Sequence, residues 1–293
     1  MEQFFMGLIV FGIVAVVRRK EVLTLRWQPT RDTWAAVGVG ALAFALSASM
    51  LLVGTDSLAA KLIHRLGIYV VCGVALPWGY VLLVERGKLS DLGLTREKLG
   101  LSLALNVILA VLMSPIIIFQ ADLAAIHWGD FAKAAVALNG AGGLFEAFLY
   151  YGFIHRRLDK AFGMVPAIFL TSLIYVTWHT GTQLPLEADP LGALWKLLWV
   201  GVMYQSVFSL THNLWIIWPF FHGVGVMIDF AINIGEVNRV AAGFPWAVGT
   251  LLAMAVVGWG IVRAARRGQR PKPIQSPKPI STVRNAPMGK PQR

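Results

Sequence analysis

Long apolar runs recur along the whole chain, at about residues 3–17, 34–53, 68–84, 100–118, 135–155, 163–182, 191–209, 213–232 and 244–263. A helix of roughly 20 apolar residues is long enough to cross a bilayer. A water-soluble core has nowhere to bury nine such segments, and the overall balance agrees: 57% of residues are hydrophobic and 14% charged, with mean hydropathy +0.65. The expected fold class is therefore all-α, a polytopic transmembrane helical bundle of eight or nine spans. The first run is short enough to lie in the interface, and Lys196 sits near one end of the seventh. Membrane β-strands alternate rather than run continuously apolar, so a barrel is excluded. The single cysteine, Cys72, lies inside an apolar run; it excludes an internal disulfide or a thiolate zinc cluster and reads as a packing residue.

The formal charge of +11 raises the question of nucleic acid, and the placement of the basic residues gives another answer. Arg18, Arg19 and Lys20 directly follow the first run, which places that end in the cytoplasm and the N-terminus outside. Threading nine spans from there puts 21 of the 26 basic residues inside and five outside (Lys61, Arg65, Lys133, Lys196 and Arg239). That bias is the positive-inside pattern. The charge thus reports topology and contact with lipid head groups, with no nucleic-acid partner expected. The N-terminus has no basic stretch before its apolar run and no small-residue cleavage pattern, so no cleaved signal peptide is expected. Four regions follow: N-terminal transmembrane helices over 1–84, a core over 85–232, a last span over 233–263, and a basic, Pro-rich cytoplasmic tail over 264–293 expected to be disordered. No internal repeat is visible, which disfavours an inverted-repeat transporter.

Ionisable side chains inside a span are costly and become functional candidates. Among the fifteen acidic residues only Glu146 and Asp229 fall well inside spans, and among the six histidines only His179 and His222 do so clearly. His64 and His127 lie in polar connections, His155 abuts Arg156 and Arg157, and His212 stands at a span boundary; all four read as solvated or interfacial. Glu146, His179 and His222 sit on three separate helices and could converge.

Their surroundings are distinctive. Gly142-Gly143-Leu144-Phe145-Glu146-Ala147-Phe148-Leu149-Tyr150-Tyr151-Gly152 precedes His155-Arg156-Arg157-Leu158. Ser172-Leu173-Ile174-Tyr175-Val176-Thr177-Trp178-His179 comes next, then Asn213 through His222, while Leu89-Ser90-Asp91-Leu92-Gly93 through Lys98 lies upstream. In order and spacing these resemble the CAAX protease and bacteriocin-processing family of intramembrane glutamate endopeptidases, over roughly residues 85–230. The marks of that family are a Glu-Glu-x-x-x-Arg motif followed by Gly, then Phe-x-x-x-His, then a later His with Asn or Asp four residues on. Glu146 matches the first glutamate, Gly152 the glycine, and His179 and His222 the histidines. Ala147 replaces the second glutamate, Tyr151 the arginine, Tyr175 the phenylalanine, and Val226 the final amide or acid. Asp229, two turns beyond His222, cannot stand in for that last group.

The resemblance implies that Glu146 and His179 activate a water while His222 helps stabilise a tetrahedral oxyanion, with possible impairment from the missing groups. A carboxylate in an apolar site is a competent general base, and one missing oxyanion donor costs about a hundred- to a thousandfold in rate. Ala147 and Tyr151, four apart, should face one side of a helix, as a charge pair lost together. One tension stands in this reading. Counted from the cytoplasmic ends of their spans, His179 lies about a turn and a half deeper than Glu146, unless Gly163 and Pro166 delay the helix that carries it. No cofactor is expected, although zinc held by Glu146, His179 and His222 is an alternative ligand set. The other readings are a catalytically silent membrane scaffold or regulator, proton-coupled transport, and polar residues that merely join helices. Membrane lipids and a membrane-anchored or lipidated peptide are the expected partners, with Trp178, Trp215 and Trp218 lining a pocket. A bacterial plasma membrane is the expected location.

Overall fold

The computed structural model describes residues 2–120, 123–231 and 234–268. Among these residues all regular secondary structure is helical, with no strand. The expected tail lies outside the described residues from 269 onward, and so does the side chain of Asp229.

Each apolar run of the sequence carries a helix. We number them α1 (Glu2–Val17), α2 (Arg31–Val53), α3 (Leu58–Val84), α4 (Leu99–Gln120), α5 (residues 128–162), α6 (Met164–Thr177), α7 (Pro190–Thr211), α8 (Phe220–Ala231), α9 (Ile234–Ala242) and α10 (Phe244–Gly268). Five of them, α2, α3, α4, α7 and α10, are individually long and apolar enough to cross a membrane, and α1 is a shorter apolar helix. The protein is an integral membrane protein. Helix α9 was not expected from the apolar pattern, being largely polar over Gly235-Glu236-Val237-Asn238-Arg239.

Local chemistry sets the ends. The Ser57 hydroxyl accepts from the amide of Ala60 at 3.0 Å and starts α3 ten residues before the apolar run. Asp189 accepts from Gly192 N at 3.0 Å beside Pro190, the pairing that favours a helix start at α7. His212 closes α7 in the left-handed conformation, φ 53°. Its carbonyl, together with that of Ser90, accepts from Arg156 Nη1 at 3.1 and 3.2 Å, so a cation caps the negative end of α7.

Helix α5 does not stop where the apolar run ends. It continues through His155, Arg156 and Arg157 to Phe162, and Gly163 at φ 93° terminates it. Within it, Val136–Gly142 and Ala147–His155 are wound as π-helix, as is Ile63–Ala75 of α3. Such turns are uncommon and recur at functional sites. The continuation corrects two expectations. His155 is wholly buried, its Nε2 3.2 Å from Ser209 Oγ, because the helix carries it into the seam with α7. His64 lies inside α3 and is half-buried, edge-on to Tyr69 at 4.5 Å between ring centres, because α3 begins before the apolar run does. His127 is exposed beside Asp130, and His212 pairs with Asp159 at 3.2 Å, as befits interfacial positions.

Helices α1 and α6 both pack along α7, α8 packs along α4, and α10 packs against α3. Helix α5 lies among them, and from Phe145 to Ile154 every residue is buried.

Candidate active site

Glu146 and His222 meet inside the bundle. The carboxylate Oε2 lies 2.9 Å from Nε2 of the imidazole, and both side chains are nearly inaccessible to solvent. Beyond the ring, His222 Nδ1 lies 3.2 Å from Oδ1 of Asn139, two turns before Glu146 on α5. The orientation of the Asn139 amide is fixed by chemistry: its Nδ2 donates at 2.8 Å to the carbonyl of Pro219, which can only accept. Oδ1 therefore faces His222 and requires Nδ1 to carry a proton. One further proton must lie between Nε2 and Glu146, because two lone pairs do not approach to 2.9 Å. The three side chains form a continuous Asn–His–Glu relay.

Several features of the sequence make that approach possible. A Cβ at Gly143 would lie 2.9 Å from both Asn139 Oδ1 and His222 Nδ1, so only glycine admits the pair against α5. Asn106, fully buried on α4, fixes the first turn of α8: its Oδ1 accepts from Phe221 N at 2.6 Å and its Nδ2 donates to Trp215 O at 2.7 Å. Trp218 Nε1 donates to the carbonyl of Asn139 at 2.9 Å.

His179 reaches the same region from α6. That helix begins directly at Met164 with no delay and gives way at Trp178–Gly181 to a 3₁₀ turn. The aromatic ladder sets its level: Tyr150 lies edge-on to Tyr175 at 5.4 Å, and Phe145 edge-on to Trp178 at 5.2 Å. These contacts bring His179 within electrostatic reach of Glu146. Its Nδ1 lies 3.3 Å from the Tyr175 carbonyl, an arrangement that makes Nδ1 the protonated nitrogen and leaves Nε2 as the basic one. The 3₁₀ turn is held by Ser47 of α2, which is fully buried; its hydroxyl donates to Trp178 O and accepts from Gly181 N at 2.8 Å.

Of the motif positions that depart from the family pattern, Ala147, Tyr151 and Tyr175 are buried and Val226 is partly exposed. Ala147 and Tyr151 are at most 1% exposed, and Tyr151 turns toward α7, with ring centres 6.0 Å from Phe208 and 6.3 Å from Tyr204. Gly152 lets the upstream segment approach; a Cβ there would lie 2.5 Å from Leu92 O. That segment is tied in turn to the third motif, since Asn213 Nδ2 donates to Thr95 O and Glu97 O at 3.0 and 2.8 Å. A partly buried ion pair does exist on this helix, but six residues beyond Tyr151: Arg157 Nη2 contacts both carboxylate oxygens of Glu85, at 2.8 and 2.6 Å.

Residues 128–227 match the family described as type II CAAX prenyl endopeptidase Rce1-like. Over this segment the chain is similar to the CAAX protease and bacteriocin-processing family, the resemblance that its motifs carry. The match contains Asn139, Glu146, His179 and His222. Comparison with curated proteins and with solved structures finds no match.

Sequence reasoning missed Asn139. Its signal was present, an amide in an apolar run seven residues before the glutamate, but only the tertiary contact shows its partner. Trp215 and Trp218 lie together, ring centres 5.5 Å apart. Trp215 borders an open cavity of about 520 Å³ with Leu94, Thr95, Arg96, Leu99 and Leu103, whereas Trp178 packs on His179, Phe145 and Tyr69. Among the described residues no three His, Cys, Asp or Glu side chains converge as a metal site.

Proposed function

We propose that the protein is an intramembrane peptidase of the glutamate type, acting on a membrane-anchored or lipidated peptide, with Glu146, His179 and His222 as its catalytic residues. The observation that carries this reading is the Asn139–His222–Glu146 relay, buried in a helix bundle of family character. No cofactor enters the proposal.

In the reaction, Glu146 and the basic Nε2 of His179 hold a water. As its oxygen attacks the peptide carbonyl carbon, its proton passes to the carboxylate. The carbonyl oxygen becomes an oxyanion, and His222 Nε2–H, which rests against Glu146, donates to it. Collapse breaks the C–N bond, and the proton on Glu146 goes to the departing amine. Asn139 supplies what Val226 lacks: an acceptor that holds the proton on Nδ1, while His222 donates to the oxyanion from Nε2 with the second proton, the one it shares with Glu146. Acting through His222, Asn139 is a positioning residue. The proposed location is a bacterial plasma membrane with the C-terminus in the cytoplasm, in keeping with the bias of basic residues.

The test is hydrolysis of a panel of membrane-anchored and prenylated peptides by purified protein in lipid nanodiscs. Wild type should cleave some of them and Glu146→Gln none, with unchanged thermal stability and elution volume. Equal behaviour of the two proteins would sink the enzymatic reading. The second reading is a silent scaffold, favoured by the burial of Ala147 and Tyr151 where the family carries a charged pair. Under it, Glu146→Gln complements a deletion strain as well as wild type does.

A further inference from the structure

The start of α3 gathers positive charge where the helix does not favour it. Lys61 and Arg65 stand four residues apart within its first eight residues, on one face. Like charges at that spacing repel, and Lys61 also stands in the first turn, where the helix end is itself partly positive. Among the described residues neither side chain forms an ion pair. Asp56, the acid nearest to them along the chain, is exposed beyond the Ser57 cap and pairs with neither. Arg65 is half-buried, in a helix apolar enough to cross the membrane from Leu58 onward. An arginine about 10 Å along such a span is costly unless an anion answers it.

Beside these cations lies a cavity of about 340 Å³ between α3 and α10, walled by Leu62, Arg65 and Leu66 on one side and by Trp246 and Gly249 on the other. Leu62, Leu66 and Trp246 are exposed, so the cavity opens sideways, toward lipid. Both helices start here, α3 at Leu58 and α10 at Phe244, which sets the cavity at a membrane–water boundary, the level tryptophan favours. Gly249 leaves its wall open: a Cβ there would meet nothing within 4 Å. The Arg65 guanidinium lies 5.5 Å over the Tyr69 ring and reaches the turn between α9 and α10, where a Cβ at Gly243 would stand 3.7 Å from Nη2. Two cations at the boundary above an apolar slot match a phosphate above an acyl chain.

We propose that the α3–α10 groove binds one anionic phospholipid of the phosphatidylglycerol class, from the leaflet that meets the starts of these two helices. Its phosphate bridges Lys61 and Arg65, and an acyl chain runs past Leu62, Leu66 and Trp246 over Gly249. The paired cations select against a zwitterionic head group, whose own positive charge opposes them. Arg65 rests on Tyr69, which stacks on Phe145 at 5.0 Å, so the lipid stands behind the wall of the Glu146 site. The site does not depend on the peptidase reading.

The test uses the full chain in nanodiscs of phosphatidylcholine doped with a small fraction of lipid carrying brominated chains, which quench the tryptophans they touch. The signal of Trp246 is read as the difference between wild type and Trp246→Phe. Brominated phosphatidylglycerol should quench it severalfold more than the same fraction of brominated phosphatidylcholine. Lys61→Gln combined with Arg65→Gln should remove that preference. Gly249→Leu keeps both charges, fills the cavity and puts a better helix former into α10. It should bring quenching by the anionic lipid down to the neutral level with no loss of Tm. Equal quenching of wild type by the two lipids would overturn the proposal, as would a preference that survives in either variant. Displacement of the brominated lipid by a farnesylated peptide would assign the groove to substrate and overturn it too. No hydrolysis is measured, so failure here is distinct from failure of the peptidase reading.

Discussion

Asn139 Oδ1 and His222 Nδ1 lie 3.2 Å apart although 83 residues separate them in the chain. The contact joins the middle of α5 to the first turn of α8 and decides which nitrogen of the imidazole carries a fixed proton. Asn139→Ala should therefore release the ring. Losing a hydrogen bond of about 1–3 kcal/mol corresponds to about a ten- to hundredfold fall in kcat, with KM little changed. Nitrogen-15 spectra of labelled histidine provide a check that needs no substrate: Nδ1 of His222 should be protonated in wild type and lose that fixed state in Asn139→Ala. An unchanged His222 signal would show that the amide does not set the tautomer.

Ser47 is bonded to both ends of the turn that carries His179. Ser47→Ala leaves the Gly181 amide and the Trp178 carbonyl without that partner in a buried site. The expected cost is about 1–3 kcal/mol, seen as a lower Tm in detergent together with a fall in activity. Ser47→Thr, which keeps the hydroxyl, should recover part of both. A variant that loses neither stability nor activity would mean that the turn holds itself.

Glu85 and Arg157 form a bidentate pair whose arginine side chain is only 7% exposed and also lies 4.0 Å over the Phe153 ring. Removing one partner strands a charge, so Arg157→Met should destabilise by about 3 kcal/mol, the low end for buried pairs, because the Glu85 side chain keeps 22% exposure. Glu85→Gln combined with Arg157→Met should lose less than the sum of the single changes. Strict additivity of Tm shifts would mean that the two residues are uncoupled.

Asp159 sits past the apolar run, at the end of α5. Burial alone would raise its carboxyl, but the hydrogen bond with His212 and the nearby His155, His212 and Arg26 outweigh that and hold it below its ordinary 3.8. The folded state then binds this proton less readily than the unfolded chain does. Its stabilising contribution is complete above the ordinary value and is lost as pH falls through the lowered folded one. Asp159→Asn should lower Tm near neutral pH and flatten the decline of Tm on acidification below about pH 4. An identical acid limb in both proteins would remove Asp159 as its source.

Membership of the helical membrane class follows from the sequence by itself, because a bilayer demands long apolar segments and leaves few alternatives. Glu146, His179 and His222 stood out as candidates for the same reason: a titratable group inside such a segment is expensive. What the sequence could not decide is which groups meet. Asn139, Ser47 and Asn106 are neutral, cheap to place in an apolar run, and carry no pattern that ties them to distant helices. The positions of His64 and His155 were misread because hydropathy marks where apolar composition ends, while backbone hydrogen bonding carried α3 and α5 past that point. Only the packed bundle turned His155 into the α7 seam, paired Arg157 with Glu85 instead of a neighbour in the motif, and brought an amide from α5 to the histidine whose own helix offers Val226. Those outcomes depend on contacts between residues tens of positions apart, where the cost of an unpaired buried polar group selects the partner and chain spacing has no say.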